Sequence, residues 1–237
     1  MLSIRRATEA DCGLIRRLAG EVFPATYREI LTPAQLDYMM EWMYSEESLQ
    51  GQFRAGHVWF IASSDGEPCG YVSVERQGGD LFHLQKIYVL PRFQGLGAGE
   101  FLFRRAVEYI RSVHPGPCMM ELNVNRRNRA LHFYERMGMR RLREGDFPIG
   151  DGYYMNDHIM GWRSSDPVSG LLLQYPFHTA VPDDRYAAAF DQYGAAAVFP
   201  PVEVVLYVDR YHAAVVEGRN IGENRVADQE PVGVVTA

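Results

Sequence analysis

The sequence predicts an α/β protein: a mixed sheet with helices on both faces, followed by an extra C-terminal α/β appendage. Three observations predict it. Segments of alternating apolar residues and segments of helical spacing follow one another as β-α-α-β-β-β-α-β-α-β-β over residues 1–163. The run Leu84 to Leu90 stops at Pro91 and passes through Gly95-Leu96-Gly97-Ala98-Gly99 into a helical stretch from Glu100 to Ile110. The charge is divided unevenly. Residues 164–237 carry 4 arginines and 10 Asp/Glu, so the whole net charge of −6 lies in the last third. The polar, proline-containing joint Arg163-Ser164-Ser165-Asp166-Pro167 therefore divides a domain, 1–163, from an acidic appendage, 164–237.

Each element has a local reason. Leu2-Ser3-Ile4-Arg5 alternates as an opening strand. Thr8, with Asp11 three residues on, caps a helix whose apolar stripe is Leu14, Ile15 and Leu18, and Phe23-Pro24 breaks it. Thr32-Pro33 opens a second helix with Leu36, Met39, Met40 and Met43 on its core face. Val58 to Ala62 and Gly70 to Glu75 form a hairpin about Ser64-Asp65-Gly66-Glu67, and Leu81 to Val89 is the next strand. Met119 to Val124 is a strand, and Asn128 to Met137 a short helix closed by Gly138. Arg140 to Phe147 and Tyr153 to Trp162 complete the sheet. In the appendage, residues 182–193 read as a helix and residues 202–208 and 211–217 as strands, with a loose end from Gly222.

The composition excludes several classes. With 47% hydrophobic and 23% charged residues the chain reads as soluble and globular. No stretch approaches the roughly 18 apolar residues of a membrane span, and the N-terminus lacks a signal-peptide core. Cys12, Cys69 and Cys118 are odd in number and far apart, as expected of free thiols in the cytoplasm. No Cys/His cluster has metal-ligand spacing, and the acidic balance argues against nucleic acid as a partner. A homodimer through the appendage is among the expectations.

The chemistry is carried by the glycine-rich loop. A strand, such a loop and a helix N-terminus form a cradle for a phosphate. The spacing is neither the dinucleotide fingerprint nor a Walker loop. Gln94-Gly95-Leu96-Gly97-Ala98-Gly99 instead resembles the Gln/Arg-x-x-Gly-x-Gly/Ala signature of the GCN5-related N-acetyltransferase (GNAT) family. Leu122 to Met139, containing Asn123, Asn128, Ala130 and Phe133-Tyr134-Glu135, resembles that family's second signature. Phe23 to Tyr27, Leu31 to Met39 and Tyr153 to Met160 are similar to the PaiA-type bacterial subgroup, whose members resemble polyamine acetyltransferases. The resemblance covers about residues 1–163.

What the resemblance implies is specific. The cosubstrate is acetyl-CoA, with no metal. The loop Gln94, Gly95, Leu96, Gly97, Ala98 and Gly99 holds its pyrophosphate. Strands 84–89 and 119–124, parallel and splayed apart, admit the pantetheine arm along Ile87, Tyr88 and Val89, with Asn128 as a further contact. Tyr134 protonates the departing thiolate as an amine attacks directly. The proton acceptor stays open. Many relatives carry a Glu where this chain has Gln85, and His83 and Glu75 are nearest by strand register. Asp37, Glu41, Glu46 and Glu47 are candidates for drawing a polyamine to the acceptor mouth. The acceptor is a polyamine or other small amine, or else a protein N-terminus or lysine. A CoA-binding regulatory module without turnover is the alternative of another class.

Overall fold

The computed structural model describes residues 1–165; the helix and strands expected within 182–217, and the end beyond them, lie outside the described residues. The chain runs β1 (Leu2–Arg6), α1 (Cys12–Tyr27), α2 (Pro33–Tyr44), α3 (Glu46–Arg54), β2 (Val58–Ser64), β3 (Glu67–Gly78), β4 (Leu81–Val89), α4 (Ala98–Val113), β5 (Met119–Asn125), α5 (Leu131–Arg136), β6 (Arg140–Gly150) and β7 (Tyr153–Arg163). The strands form one seven-stranded sheet in the order β1-β2-β3-β4-β5-β7-β6. Only the β4–β5 pair is parallel, because α4 carries the chain back between them.

Two apolar clusters cover the two faces. Leu102, Phe103, Ala106, Val107 and Ile110 recur at helical spacing on α4 and are buried against Phe60, Val72, Phe82 and Leu84. Ile15, Leu18, Val22 and Phe23 of α1, with Leu49 of α3, bury the opposite face under Trp59, Ile61 and Tyr71. Full burial of each large side chain contributes about 2 kcal/mol. Among the described residues no helix is long and apolar enough to cross a membrane.

Four local features differ from expectation. The capping box of Thr8 and Asp11 closes a 3-10 turn, and α1 begins after it, at Cys12. That helix continues through Pro24 to Tyr27. Proline removes one N–H from the ladder, but the Phe23 ring is held by Tyr27, Tyr44 and Tyr88 across the interruption, and Arg28 N–H returns to the Pro24 carbonyl at 3.0 Å. Helix α3 carries too thin an apolar stripe to be read as one; Ser45 caps it by accepting from the Ser48 amide. Helix α5 starts at Leu131, not Asn128. The Asn125 and Asn128 side chains accept from the amides of Arg127 and Ala130, and these turns hold the preceding residues outside the helix.

Two features of β4 position the site. Its parallel ladder with β5 covers only Leu81–Met119, Phe82–Met120 and His83–Glu121, whereas β5 stays paired to β7 as far as Asn125. Beyond His83 the strands part, as the resemblance implies. On the other edge, β3 residues Val74 and Ser73 face Leu84 and Lys86, which leaves Gln85 as a bulge. The bulge resets the alternation. Lys86 now lies on the α1–α3 face instead of following Leu84 onto the α4 face.

Candidate active site

The notch between β4 and β5 ends at the glycine loop. Gln94 Nε2 donates to the Val89 carbonyl at 2.9 Å and folds the loop back onto the strand. Gly97 caps α4 at φ 86°, a left-handed conformation that costs a side-chain-bearing residue roughly 1–2 kcal/mol. It turns the chain so that the amides of Gly97, Ala98 and Gly99 open the first turn of α4. Helix geometry leaves these donors without an intrahelical acceptor, so they suit an anion.

Tyrosines line the notch. Tyr27 at the end of α1 meets the Tyr88 hydroxyl at 3.4 Å and accepts from Asn128 Nδ2 at 3.4 Å, tying α1, β4 and the β5–α5 turn together. Asn128 is therefore at the notch, with its side-chain oxygen committed to the Ala130 amide. Tyr134 is buried beside them on α5, its ring against Phe133. Burial, and then the repulsion of the nearby Tyr27 phenolate, push its phenol well above the ordinary range, so it carries its proton at neutral pH. Its hydroxyl makes no hydrogen bond with the described residues.

A polar network crosses the α1–α3 face of the sheet just upstream. Glu75 and His83 are register partners, so both candidate proton acceptors stand together. The Glu75 carboxylate accepts from Gln85 Nε2 at 2.7 Å and faces His57 Nε2 at 3.7 Å. Burial alone would raise its pKa, but the His57 contact and the Gln85 and Gln77 hydrogen bonds outweigh that and bring it to about 2. Burial lowers His83 from its ordinary value despite its hydrogen bond to Asn123. Lys86 donates to Gln52 Oε1 at 2.7 Å beneath the Trp59 and Tyr44 rings, and burial lowers it to about 7. Asp157 on β7 accepts from Asn123 at 3.3 Å, and burial lifts it to about 6.

Sequence reading missed Lys86, Gln52, His57, Asn123 as a network member, and Asp157. A lysine inside an apolar strand, and an Asp-His pair before Ile159, were the signals available. The four acidic residues expected at an acceptor mouth lie on α2 (Asp37, Glu41) and in the first turn of α3 (Glu46, Glu47). All are exposed; Glu41 pairs with Arg16 at 3.4 Å, and Glu46 accepts from Gln50. Glu75 and Glu121 are the register partners of His83, where the strands part, and Asp157 holds Asn123; Glu121 is itself held by a two-pronged bond from Arg143 at 2.7 and 3.0 Å.

Comparison with known proteins agrees with this geometry. Residues 23–139 match the acetyltransferase (GNAT) family. The thialysine N-epsilon-acetyltransferase of Bos taurus is 30% identical over 159 residues, spanning 60% of this chain and 86% of that protein. The chain belongs to the GNAT family. The PaiA N-acetyltransferase of Thermoplasma acidophilum in complex with coenzyme A has the same fold, with a TM-score of 0.56 and 20% identity over 68% of this chain and 98% of that one. So does the Salmonella typhimurium protein yncA with its cofactor acetyl-CoA, with a TM-score of 0.51 and 17% identity over 73% and 99%. This GNAT chain is an acetyl-CoA-dependent N-acyltransferase.

Proposed function

We propose that the enzyme moves acetyl from acetyl-CoA to a small primary amine by direct attack. The observation that carries this reading is the parting of β4 from β5 after His83, with the glycine loop at one end of the notch and the Glu75–His83 pair at the other. The phosphates sit on the Gln94–Gly99 amides. The pantetheine amides bond to the β4 backbone at Ile87, Tyr88 and Val89, as a short added strand. The thioester then lies between Tyr134 and the α1–α3 face.

The incoming amine must lose a proton, and the leaving thiolate must be stabilised. Of the two candidate acceptors, His83 suits the first task. It is neutral at neutral pH, and one of its ring nitrogens is buried without a hydrogen-bond partner among the described residues. Glu75 is too weak a base at about 2; its role is to draw the ammonium group of the substrate. Tyr134 offers its proton to the thiolate. The desolvation that raises the phenol also raises the thiolate, so burial does not by itself put the phenol out of reach as its acid.

A small amine is preferred because the carboxylates near the notch are recessed, Asp157 buried and Glu75 and Glu121 partly so, within reach of a slender ammonium chain. The bovine relative's thialysine N-epsilon activity is of this kind. Cys12, Cys69 and Cys118 of this chain are free and buried, as suits a reducing compartment. The test is thiol release from acetyl-CoA across polyamines, lysine-like ε-amines, aminoglycosides and peptide N-termini. Turnover with free diamines or ε-amines is expected. Turnover confined to peptides would move the acceptor to proteins, and none with any amine, despite CoA binding, would end the reading.

A further inference from the structure

The His83 contacts decide which of its nitrogens is the base. Asn123 lies between His83 and Asp157. Its Nδ2 donates to Asp157 Oδ2 at 3.3 Å, which turns its Oδ1 to His83 Nε2 at 3.1 Å. A carboxylate only accepts, so the amide cannot reverse without placing oxygen against oxygen. An amide oxygen also only accepts, so Nε2 must carry the hydrogen. Neutral imidazole has one N–H, and Nδ1 therefore holds the lone pair. That same Nδ1 is buried and has no hydrogen-bond partner among the described residues. Such an acceptor, left unmatched in the resting fold beside the notch, is open to a hydrogen brought by a ligand or a water.

We infer that Asp157, acting through Asn123, is a positioning residue that fixes the His83 tautomer and presents Nδ1 to the proton of the acceptor amine, directly or across one water. The inference rests on the reading of His83 as proton acceptor. On proton transfer, Nδ1 gains the amine hydrogen and the ring becomes a cation. The cation is then stabilised by the Nε2–H bond to the Asn123 oxygen, an amide polarised in turn by the Asp157 carboxylate. Asp157 stays ionised above about pH 6, so the relay is set at neutral pH. Other charges face the same groups. Glu75 on β3, Glu121 on β5 and Lys86 on β4 surround His83, while Arg126 and Asp146 act on Asp157, which in turn acts on Tyr27. None of them reaches the Asn123 amide, so none substitutes for Asp157 in holding its orientation.

The test reads the tautomer by nitrogen-15 NMR on the full chain, with His83 assigned by its loss in His83→Gln. The native protein should show hydrogen on Nε2 alone. In Asp157→Asn the new amide can donate to Asn123 Oδ1, turning Asn123 Nδ2 towards His83. The Nδ1–H form should then appear, and kcat should fall about tenfold with KM for acetyl-CoA unchanged. Asp157→Asn should add no further loss of kcat to Asn123→Leu, because the effect passes through that amide. Hydrogen on Nδ1 in the native protein, or an unchanged tautomer and kcat in Asp157→Asn, would overturn the inference. The native spectrum needs no variant to fold. If His83→Gln keeps full kcat, the proton-acceptor reading fails on its own, whatever the tautomer result.

Discussion

Replacing Lys86 with methionine should stabilise the domain, and by more at pH 7 than at pH 9. The ammonium is buried under Trp59 and Tyr44, and its pKa falls from 10.5 to about 7 in the fold. Between those values the unfolded chain binds more protons than the folded one, so stability rises with pH. The penalty is complete below the folded value and gone above the unfolded one. At pH 7 it is about 4 kcal/mol, and at pH 9 about 2 kcal/mol. Methionine removes it at nearly constant volume. It also strips Gln52 Oε1 of the Lys86 donor, a pH-independent loss of about 1–3 kcal/mol. The net gain is about 1–3 kcal/mol at pH 7 and close to zero at pH 9, and the experiment reads that change. Urea unfolding of both proteins at pH 7 and pH 9 isolates that change, because all other titrations cancel between variant and parent. The advantage of Lys86→Met should shrink by about 2 kcal/mol, or about 4–8 °C in Tm for a domain of this size. Equal advantages at the two pH values would refute the argument and mean that the lysine keeps its ordinary pKa inside the fold.

Three further outcomes follow from the geometry. Tyr134→Phe should lower kcat about 100-fold while leaving CoA affinity and urea stability intact, since the hydroxyl bonds to none of the described residues; unchanged kcat when chemistry limits the rate would remove its role as acid. Gly70→Ala places a methyl 2.5 Å from the Tyr88 carbonyl, so β3 and β4 must separate; a loss of about 3 kcal/mol, together with weaker CoA binding, should appear in thermal unfolding and calorimetry. Gly97→Ala meets no atom within 4 Å but keeps a left-handed backbone, so about 1 kcal/mol of stability and a larger share of CoA affinity should be lost, the latter read by equilibrium dialysis.

What the sequence made legible was local. Glycines at 95 and 97 after an apolar strand take a left-handed backbone that few other residues adopt, and the loop leads into α4, whose first turn holds Gly99. The hairpin about Gly66 and the helical stripe on α4 are of the same kind, each read from neighbours in the chain. Helix α3 was not legible because it buries only Leu49 and Gln52, and packing against α1 and α2 supplies what periodicity lacks. Continuation of α1 through Pro24 is likewise a tertiary effect, held by rings from α2 and β4.

The site network shows where such reading stops and why. Strict alternation along Leu81 to Val89 puts Gln85 and Lys86 on opposite faces. The bulge at Gln85 brings both to the α1–α3 side, one to Glu75 and the other to Gln52. A bulge is set by pairing with β3, and nothing within β4 announces it. The same holds for Asn123 and Asp157. Each is unremarkable in its own strand, and they meet only because β7 inserts between β5 and β6 and aligns Asn125 with Asp157. Cosubstrate binding, on the proposed reading, falls largely to the end of one strand and the loop after it, so its residues lie close together in sequence. Proton transfer, as proposed, falls to side chains from β3, β4, β5 and β7. On the proposed reading, a substitution at Asp157 alters the chemistry while leaving both the glycine loop and the Leu122–Met139 signature untouched.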